Sequence, residues 1–236
     1  MPEPQVITGN IFTSTCQTLV NTVNCVGVMG AGIALEFRLR YPELFTRYLE
    51  LCKAGKIVIG SLWLFKGTDR WVLNFPTKKH WRFPAKEEYL HAGLEKFMTT
   101  YEKKGIESIA FPLLGTHHGG LHPDLCMSIM KSYLGDCRIP VEIYLYDPTS
   151  DDDLYEDFKN VFLSTPPDET ILRSGLKPQY VGRIREALGD SRIKQMNQLA
   201  KVKGIGVVTL EHAFAFARDA GEGAPPPAQQ SLDVDA

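Results

Sequence analysis

The feature that most restricts the fold is an alternation of short apolar runs with helix-like segments, which continues to about residue 147. The apolar runs predict strands at 5–8, 18–23, 62–65, 71–74, 106–112 and 141–146. The segments between them predict helices at 32–41, 42–54, 86–104 and 123–135. Such alternation favours a layered α/β fold with a largely parallel or mixed sheet. Ligands of these sheets bind at the carboxyl ends of strands.

The chain changes character after Tyr146. We assign residues 1–147 to the α/β domain and expect an acidic, proline-containing linker at 148–170. Residues 171–218 predict a small all-helical region. The Gly- and Pro-rich end, 219–236, is predicted to be a disordered tail.

Charge, apolar runs and cysteine content indicate where in the cell the protein is located. The net charge is -2, and no run of eighteen apolar residues could form a transmembrane helix. The N-terminus lacks the basic and apolar parts of a signal peptide. The five cysteines are odd in number and form no CxxC pair, as is typical of a reducing cytoplasm. We therefore predict a cytoplasmic protein with no membrane contact, no metal and no cofactor.

A glycine-rich segment, VMGAGIA at 28–34, precedes the first predicted helix. Gly30 and Gly32 let a ligand approach the backbone, and free N–H groups at a helix start favour a phosphate. Asn21 and Asn24 stand at the preceding strand end, where their amides could bond ribose hydroxyls. The alternative is a tight turn in which the asparagines make only local bonds.

A second segment, FPLLGTHHGGLHPDL at 111–125, repeats this pattern of strand, glycines and helix. Its glycines are Gly115, Gly119 and Gly120. Two such loops at two strand ends suit a diphosphate that is held from both sides, although a bare turn before the helix would also explain the second.

Four strings in this order, TGNI, NTVNCVGVMGAGIALEF, NFPTKKHW and PLLGTHHGGL, resemble the macrodomain family over about residues 4–147. The resemblance implies a three-layer fold with a mixed central sheet that binds ADP-ribose. The glycine string followed by NFPTKKHWR is similar to the DarG-type DNA ADP-ribosyl glycohydrolases, the antitoxins of DarT–DarG pairs. The resemblance thus implies ADP-ribosylated DNA, single-stranded by preference, as substrate and a DarT-like toxin as partner.

The resemblance also implies roles for single residues. Asn10 and Ile11 would lie near the adenine, and Asn24 would reach the distal ribose and take part in catalysis. The full predicted ADP-ribose set is Thr8, Asn10, Ile11, Asn21, Val28, Met29, Gly30, Gly32, Ile33, Gly115, Thr116, His117, His118, Gly119, Gly120 and Leu121. His122 stands where relatives that act on proteins carry an aspartate, which leaves a role for it as acid or base open.

The string NFPTKKHWR, residues 74–82, allows two interpretations. One is a solvated basic loop. The other is a catalytic lysine beside a nucleic-acid contact, with Lys78 matching the family's lysine and Lys79 as the alternative. Neighbouring cations would lower the pKa of Lys78 and make its amine a nucleophile. The predicted DNA contacts are Lys79, His80, Trp81 and Arg82, with Trp81 stacking on a base.

A helical hairpin is indicated near the C-terminus, where Gly204 and Gly206 form a GIG turn. The turn resembles a helix-hairpin-helix motif, whose backbone N–H groups hold a DNA phosphate. Residues 171–203 contain eight basic and two acidic side chains. An ordinary αα-hairpin with a glycine turn is the alternative.

Three functions fit these patterns: a hydrolase that removes ADP-ribose from DNA bases, a non-catalytic reader of ADP-ribose, and a hydrolase of ADP-ribosylated proteins. Lys78 together with Trp81 favours the first over the second. His122 argues against the third.

Overall fold

The computed structural model describes residues 3–221, with side chains through Asp219. The predicted tail from residue 222 onward lies outside the described residues. The chain divides into two compact units, of which unit 1 extends to Tyr146 and unit 2 begins at Asp147.

Unit 1 is built on one six-stranded sheet. Its strands are β1 Gln5–Gly9, β2 Thr18–Asn24, β3 Trp63–Lys66, β4 Trp71–Lys78, β5 Ile109–Pro112 and β6 Val141–Tyr146. They lie in the order β1-β6-β5-β2-β4-β3. All neighbouring pairs are parallel except β3 with β4.

Helices cover both faces of this sheet. They are α1 Gly32–Arg40, α2 Pro42–Lys53, α3 Glu87–Thr100 and α4 Pro123–Leu134. Successive residues of a strand point to opposite faces; accordingly, Leu19 packs in the core that contains α1 and α2, and Val20 in the core that contains α3 and α4. The predicted three-layer fold with a mixed sheet is confirmed.

The end of β4 differs from the prediction. The strand continues four residues past Asn74, to Lys78. Its register with β2 slips near the end, because Val23 pairs with Pro76 but Asn24 pairs with Lys78. Proline has no N–H to give to a ladder and is found in strands mainly at edges and bulges. The irregularity lies directly beside Lys78, and bulges of this kind redirect side chains next to active sites.

The described residues of unit 2 form four α-helices, α5 Tyr155–Ser164, α6 Pro167–Ser174, α7 Pro178–Leu188 and α8 Val207–Gly221, and a 3-10 helix, Met196–Lys201. The predicted linker at 148–170 is wrong, since α5 and the start of α6 lie there. Tyr155, Phe158 and Phe162 follow helical spacing and are fully buried. Phe162 also makes an edge contact with Phe216 of α8 at 5.3 Å between ring centroids.

A polar network also orders the residues before α5. The Asp152 carboxylate accepts hydrogen bonds from the amides of Leu154 and Met196, at 2.9 and 3.0 Å. The buried Gln195 amide donates to the carbonyl oxygens of Asp147 and Ser150. The acidic residues of the segment 148–170 therefore cap helices or lie on exposed helix faces, and they do not mark a linker.

Candidate functional site

Five parallel strands end at the same edge of the sheet of unit 1. Their ends carry the predicted site: Asn10 follows β1, Tyr146 ends β6, the second glycine loop (residues 113–122) follows β5, Asn24 ends β2 and Lys78 ends β4. Parallel sheets place binding loops at this edge. The topology therefore brings together segments that are far apart in the sequence.

The first glycine loop (residues 25–32) is held by Asn24. The Asn24 side-chain oxygen accepts from the amides of Val26 and Val28, at 3.0 and 3.3 Å. Its Nδ2 donates to the Val28 carbonyl, and the Tyr48 hydroxyl donates to the Asn24 carbonyl. Asn24 thus shapes the loop, which is the local role left open above, and these bonds occupy the amide that was assigned to the ribose.

The outer part of this loop presents backbone to solvent. Gly30, Ala31 and Gly32 are exposed. Gly32 has φ +57° and begins α1, so the first N–H groups of that helix lie next to exposed glycine backbone. Exposed amides at a helix start are suited to an anion.

The second glycine loop makes two reversals. Gly115 and Gly120 have φ of +73° and +80°, and His117 has φ +43°. Within residues 3–221, His117 is the one non-glycine residue with positive φ. Such strain concentrates at functional sites. Nothing lies within 4 Å of where a Cβ on Gly120 would be, so the backbone there is open to a ligand.

The loops meet one another. A Cβ on Gly32 would lie 2.9 Å from the His118 ring, so this ring approaches the first loop at Gly32. The Ala85 amide donates to the Gly119 carbonyl at 2.9 Å, which ties the segment after β4 to the second loop. The three segments therefore form one continuous rim at the strand ends.

Lys78 lies within this rim, in register with Asn24. Its carbonyl accepts from the Cys25 amide, and its ammonium donates to the Trp81 carbonyl at 3.3 Å. Partial burial lowers the pKa of Lys78. The predicted cause, neighbouring cations, is wrong: burial disfavours the charged form of the amine.

The segment after Lys78, which we term the ring loop (residues 79–86), exposes most of its side chains, although Ala85 is buried and His80 is half-buried. Trp81 is 46% exposed. The His80 ring stacks against Trp81 at 5.6 Å, and the Arg82 guanidinium lies over the Trp81 ring at 4.8 Å. Lys79 is exposed, and its ammonium lies 5.8 Å from the Tyr89 ring. The four predicted DNA contacts are thus on the surface, at the loop that begins beside Lys78.

Several predicted ligand contacts are buried. Asn21 is fully buried, donates to Asn74 Oδ1 at 3.0 Å and lies against the Met29 sulfur. Asn10 caps the 3-10 turn Ile11–Thr13, because its side chain accepts from the Phe12 amide. Met29, Asn10 and Ile11 are each at most 5% exposed. Their side chains hold the rim in place and do not face solvent.

The remaining predicted contacts occupy mixed positions. Thr8 is exposed on the edge strand β1, Val28 is exposed, and Ile33 and Leu121 are half-buried. Thr116 is buried, and its hydroxyl donates to the Leu113 carbonyl.

His122 caps α4. Its Nδ1 accepts from the Asp124 amide at 3.3 Å, and the side chain is 71% exposed. This geometry explains the residue as a helix N-cap and provides no support for a role as acid or base.

Three residues of the rim were missed from the sequence. Gly27 has φ +79° and packs against Leu49, which fixes the start of the first loop. Phe83 is 64% exposed in the ring loop. Tyr146 is 41% exposed and lies edge-on to His117 at 6.4 Å. Two features of the sequence could have identified the last two: Phe83 is an apolar residue in a basic loop, and Tyr146 is an aromatic residue at a strand end.

The GIG turn of unit 2 differs from a hairpin of two α-helices, because the element before it is the short 3-10 helix Met196–Lys201. Gly204 has φ +83°, and its carbonyl accepts from Arg183 at 3.0 Å. Gly206 is open, with nothing within 4 Å of a Cβ position. Phosphate binding at this turn stays a prediction.

Comparison with known proteins then identifies the family. A family model described as Macro domain matches residues 20–130. The solved macrodomain of Mycobacterium tuberculosis DarG is 40% identical, with a TM-score of 0.57, over 60% of this chain and 97% of that one. The chain belongs to the macrodomain family. The macrodomain of Thermus aquaticus DarG is 36% identical, with a TM-score of 0.56, over 61% and 97% of the two chains.

Longer relatives extend beyond the macrodomain. A Thermus aquaticus protein named DNA ADP-ribosyl glycohydrolase is 32% identical over 206 residues, which cover 84% of this chain and 56% of that protein. A Mycobacterium tuberculosis protein of the same name is 46% identical over 117 residues, 48% of this chain and 33% of that protein. This chain therefore spans about a third to just over half of these relatives. The Thermus alignment is longer than unit 1 and continues into unit 2.

Among the described residues, no three His, Cys, Asp or Glu side chains gather where they could hold a metal ion. No helix in this part of the chain combines the length and the apolar character that a membrane span needs.

Proposed function

We propose that the macrodomain removes ADP-ribose from DNA bases by hydrolysing the N-glycosidic bond. The observation that carries this proposal is the position of Lys78, a partly buried lysine of lowered pKa at a strand end, between two backbone-rich loops and an exposed basic, aromatic loop. The similarity to proteins named DNA ADP-ribosyl glycohydrolase supports it.

ADP-ribose would be bound mainly by backbone. Gly30 to Gly32 expose backbone on the first loop, and the space around the Gly120 Cα is open on the second. The start of α1 adds the positive end of a helix dipole. A diphosphate between these loops would place the distal ribose near Lys78. A solved structure of Thermosipho africanus DarTG in complex with ADP-ribose is 33% identical to this chain, with a TM-score of 0.55, over 61% of this chain and 42% of that one.

Lys78 would supply the chemistry. Its neutral amine forms a bond to the anomeric carbon while the bond from that carbon to the base breaks, and the departing base takes a proton from solvent. Water then displaces the lysine nitrogen and releases ADP-ribose. Burial raises the neutral fraction of the amine, and the nucleophile needs that neutral form.

The ring loop would hold the DNA, since it combines cations for phosphates with rings for bases. A DarT-like toxin is the partner that we propose would modify the substrate. A Thermosipho africanus relative, 33% identical over 159 residues, is named a DNA ADP-ribosyl transferase-DNA ADP-ribosyl glycohydrolase fusion protein. We also propose a cytoplasmic location, which fits the five free cysteines of the described residues.

Unit 2 would add DNA affinity through the GIG turn, with Gly204 and Gly206 presenting backbone to a phosphate. Lys201 and Lys203 flank the turn and are exposed. This contact would strengthen binding and leave the chemistry to unit 1.

The test is incubation of the full chain with single-stranded DNA that carries ADP-ribose on a base, alongside an ADP-ribosylated protein. We expect release of free ADP-ribose and unmodified strand from the DNA, and little from the protein. Tight binding of ADP-ribose without release from either substrate would refute the proposal and identify a reader.

A further inference from the structure

Phe83 is the most exposed aromatic side chain of the ring loop. It is 64% exposed, compared with 46% for Trp81. The Arg82 guanidinium lies over Trp81, whereas the ring contact of Phe83 is a tilted one with His80 at 5.5 Å. Phe83 therefore offers more free ring surface than Trp81 does.

The backbone of the ring loop is constrained on both sides of this ring. The Phe83 amide donates to the His80 carbonyl at 3.1 Å, and the Arg82 amide donates to His80 Nδ1 at 3.2 Å. Pro84 fixes the next backbone angle, and Ala85 is bonded to Gly119. The ring is consequently presented from a defined turn that is attached to the second glycine loop.

The surroundings favour a polyanion that has flat apolar faces. Residues 78–85 contain three cationic side chains, Lys78, Lys79 and Arg82, and no acidic one, whereas the next cation, Lys86, is paired with Glu88 at 3.4 Å. Lys78 is itself joined to the loop through the Trp81 carbonyl. The exposed ring of Phe83 lies among cations, in the loop that directly follows Lys78. Such a surface matches a nucleobase and its phosphates better than it matches a protein chain.

We propose that Phe83 stacks on the base of a nucleotide adjacent to the modified one, so that the enzyme requires a strand unstacked at that neighbour. This inference rests on the proposed function and extends it: Phe83 would determine specificity for single-stranded DNA. It predicts that duplex DNA, whose neighbouring bases are stacked and paired, is a poor substrate.

The experiment compares Phe83→Ala with the full chain on three substrates: an ADP-ribosylated oligonucleotide, the same strand with an abasic site beside the modified base (made separately on the 5′ and 3′ sides), and an ADP-ribosylated mononucleoside. Stacking contributes enough that we expect Phe83→Ala to lower kcat/KM on the intact strand roughly five- to hundredfold. The loss should appear in KM, and the mononucleoside should be cleaved as by wild type. Phe83→Tyr should restore most of the rate.

The abasic strands provide the decisive comparison. One of the two should reduce the wild-type rate by about the same factor as Phe83→Ala, and the variant should lose nothing further on it. Leu172→Ala, which removes an apolar side chain that is 84% exposed in unit 2, is the matched control and should behave as wild type. Additive losses, or an equal loss on the mononucleoside, would overturn the inference.

A separate readout distinguishes this inference from the proposed function. Fluorescence anisotropy with an unmodified single strand measures the stacking contact without any chemistry. Weaker binding by Phe83→Ala together with no release by the wild type would retain the contact and refute the glycohydrolase. Equal binding by both proteins, with normal release, would refute the contact and leave the glycohydrolase standing.

Discussion

The two glycine loops and the ring loop lie on the same rim but use the chain in opposite ways. In the glycine loops two polar side chains bond nearby backbone: Asn24 bonds the Val26 amide, and Thr116 bonds the Leu113 carbonyl. The surface of these loops is exposed backbone, at Gly30 to Gly32 and at Gly120, beside the exposed His117 and His118. The ring loop instead exposes large rings, Trp81 and Phe83, on a backbone that is bonded at His80 and to Gly119.

This difference suggests a division of labour. Backbone amides recognise a ligand that never varies, such as a diphosphate, without depending on side-chain charge. Side chains distinguish what is attached to it and provide a reactive group. Substitutions in the glycine loops should therefore impair binding, and substitutions around Lys78 should impair chemistry or the choice of target.

Among the substitutions in the glycine loops, we expect Gly120→Glu to cause the largest loss of ADP-ribose binding. Gly120→Glu places a carboxylate where the diphosphate is expected, and repulsion between like charges about 4 Å apart costs roughly 1–4 kcal/mol. We expect a roughly five- to thousandfold loss of ADP-ribose affinity by titration calorimetry. Gly55→Glu is the matched control, because Gly55 also has positive φ and open space but lies outside the rim. Equal affinities of the two variants would show that the second loop is not the diphosphate site.

The pH dependence should separate chemistry from binding. Only the neutral amine of Lys78 reacts, so release should rise by up to tenfold per pH unit. It should level off below the ordinary lysine pKa of about 10.4, because burial lowers the pKa of Lys78. ADP-ribose binding should change little over pH 6–9. Since the unfolded state binds more protons between the two pKa values, Lys78 also makes stability rise with pH there. A flat pH profile of release would contradict the role of the amine.

Within the first loop, an alanine should be strained at the positive-φ Gly32 and tolerated at Gly30. Gly32→Ala forces a side chain into left-handed backbone, which costs about 1–2 kcal/mol, and displaces the His118 ring. Chemical denaturation should show this loss of stability. Gly30→Ala, whose nearest neighbour would be Val28 at 3.6 Å, should cost less. A larger loss at Gly30 would mean that the loop has a different conformation.

The glycine turn of unit 2 should contribute the smallest effect. Lys203→Ala removes an exposed cation beside Gly204. If that cation contacts a phosphate, the slope of log affinity against log salt for single-stranded DNA should fall by about 0.7. Glu186→Ala on α7 serves as a control that removes an exposed charge of the opposite sign. An unchanged slope for Lys203→Ala would indicate that unit 2 has another role.

The sequence pattern predicted the strands and helices of unit 1, and the errors concerned the end of one strand and one helical segment. The short apolar runs predicted the six strands, because successive residues of a strand point to opposite faces of the sheet and both faces are covered by a core. The end of β4 could not be predicted, since proline is unusual inside strands and only the pairing with β2 shows that the strand continues through Pro76 to Lys78. In α5, the spacing of Tyr155, Phe158 and Phe162 was a stronger signal than the acidic composition that suggested a linker.

The site could be located but not fully interpreted. The order of glycines and polar residues identified the rim, because strand ends of a parallel sheet converge. The sequence did not show that the amides of Asn21 and Asn24 bond other parts of the protein, since such bonds depend on three-dimensional neighbours such as Asn74. It likewise gave no measure of exposure, which singles out Phe83.

The central claim is that Lys78 performs the chemistry while the glycine loops perform the binding. The most direct test measures both properties of one variant, Lys78→Ala: release of labelled ADP-ribose from a modified single strand, and affinity for free ADP-ribose by calorimetry, with Lys79→Ala as the neighbouring control. We predict that Lys78→Ala loses release and keeps wild-type affinity, and that Lys79→Ala retains release. Full release by Lys78→Ala, or a parallel loss of affinity and release, would contradict the claim.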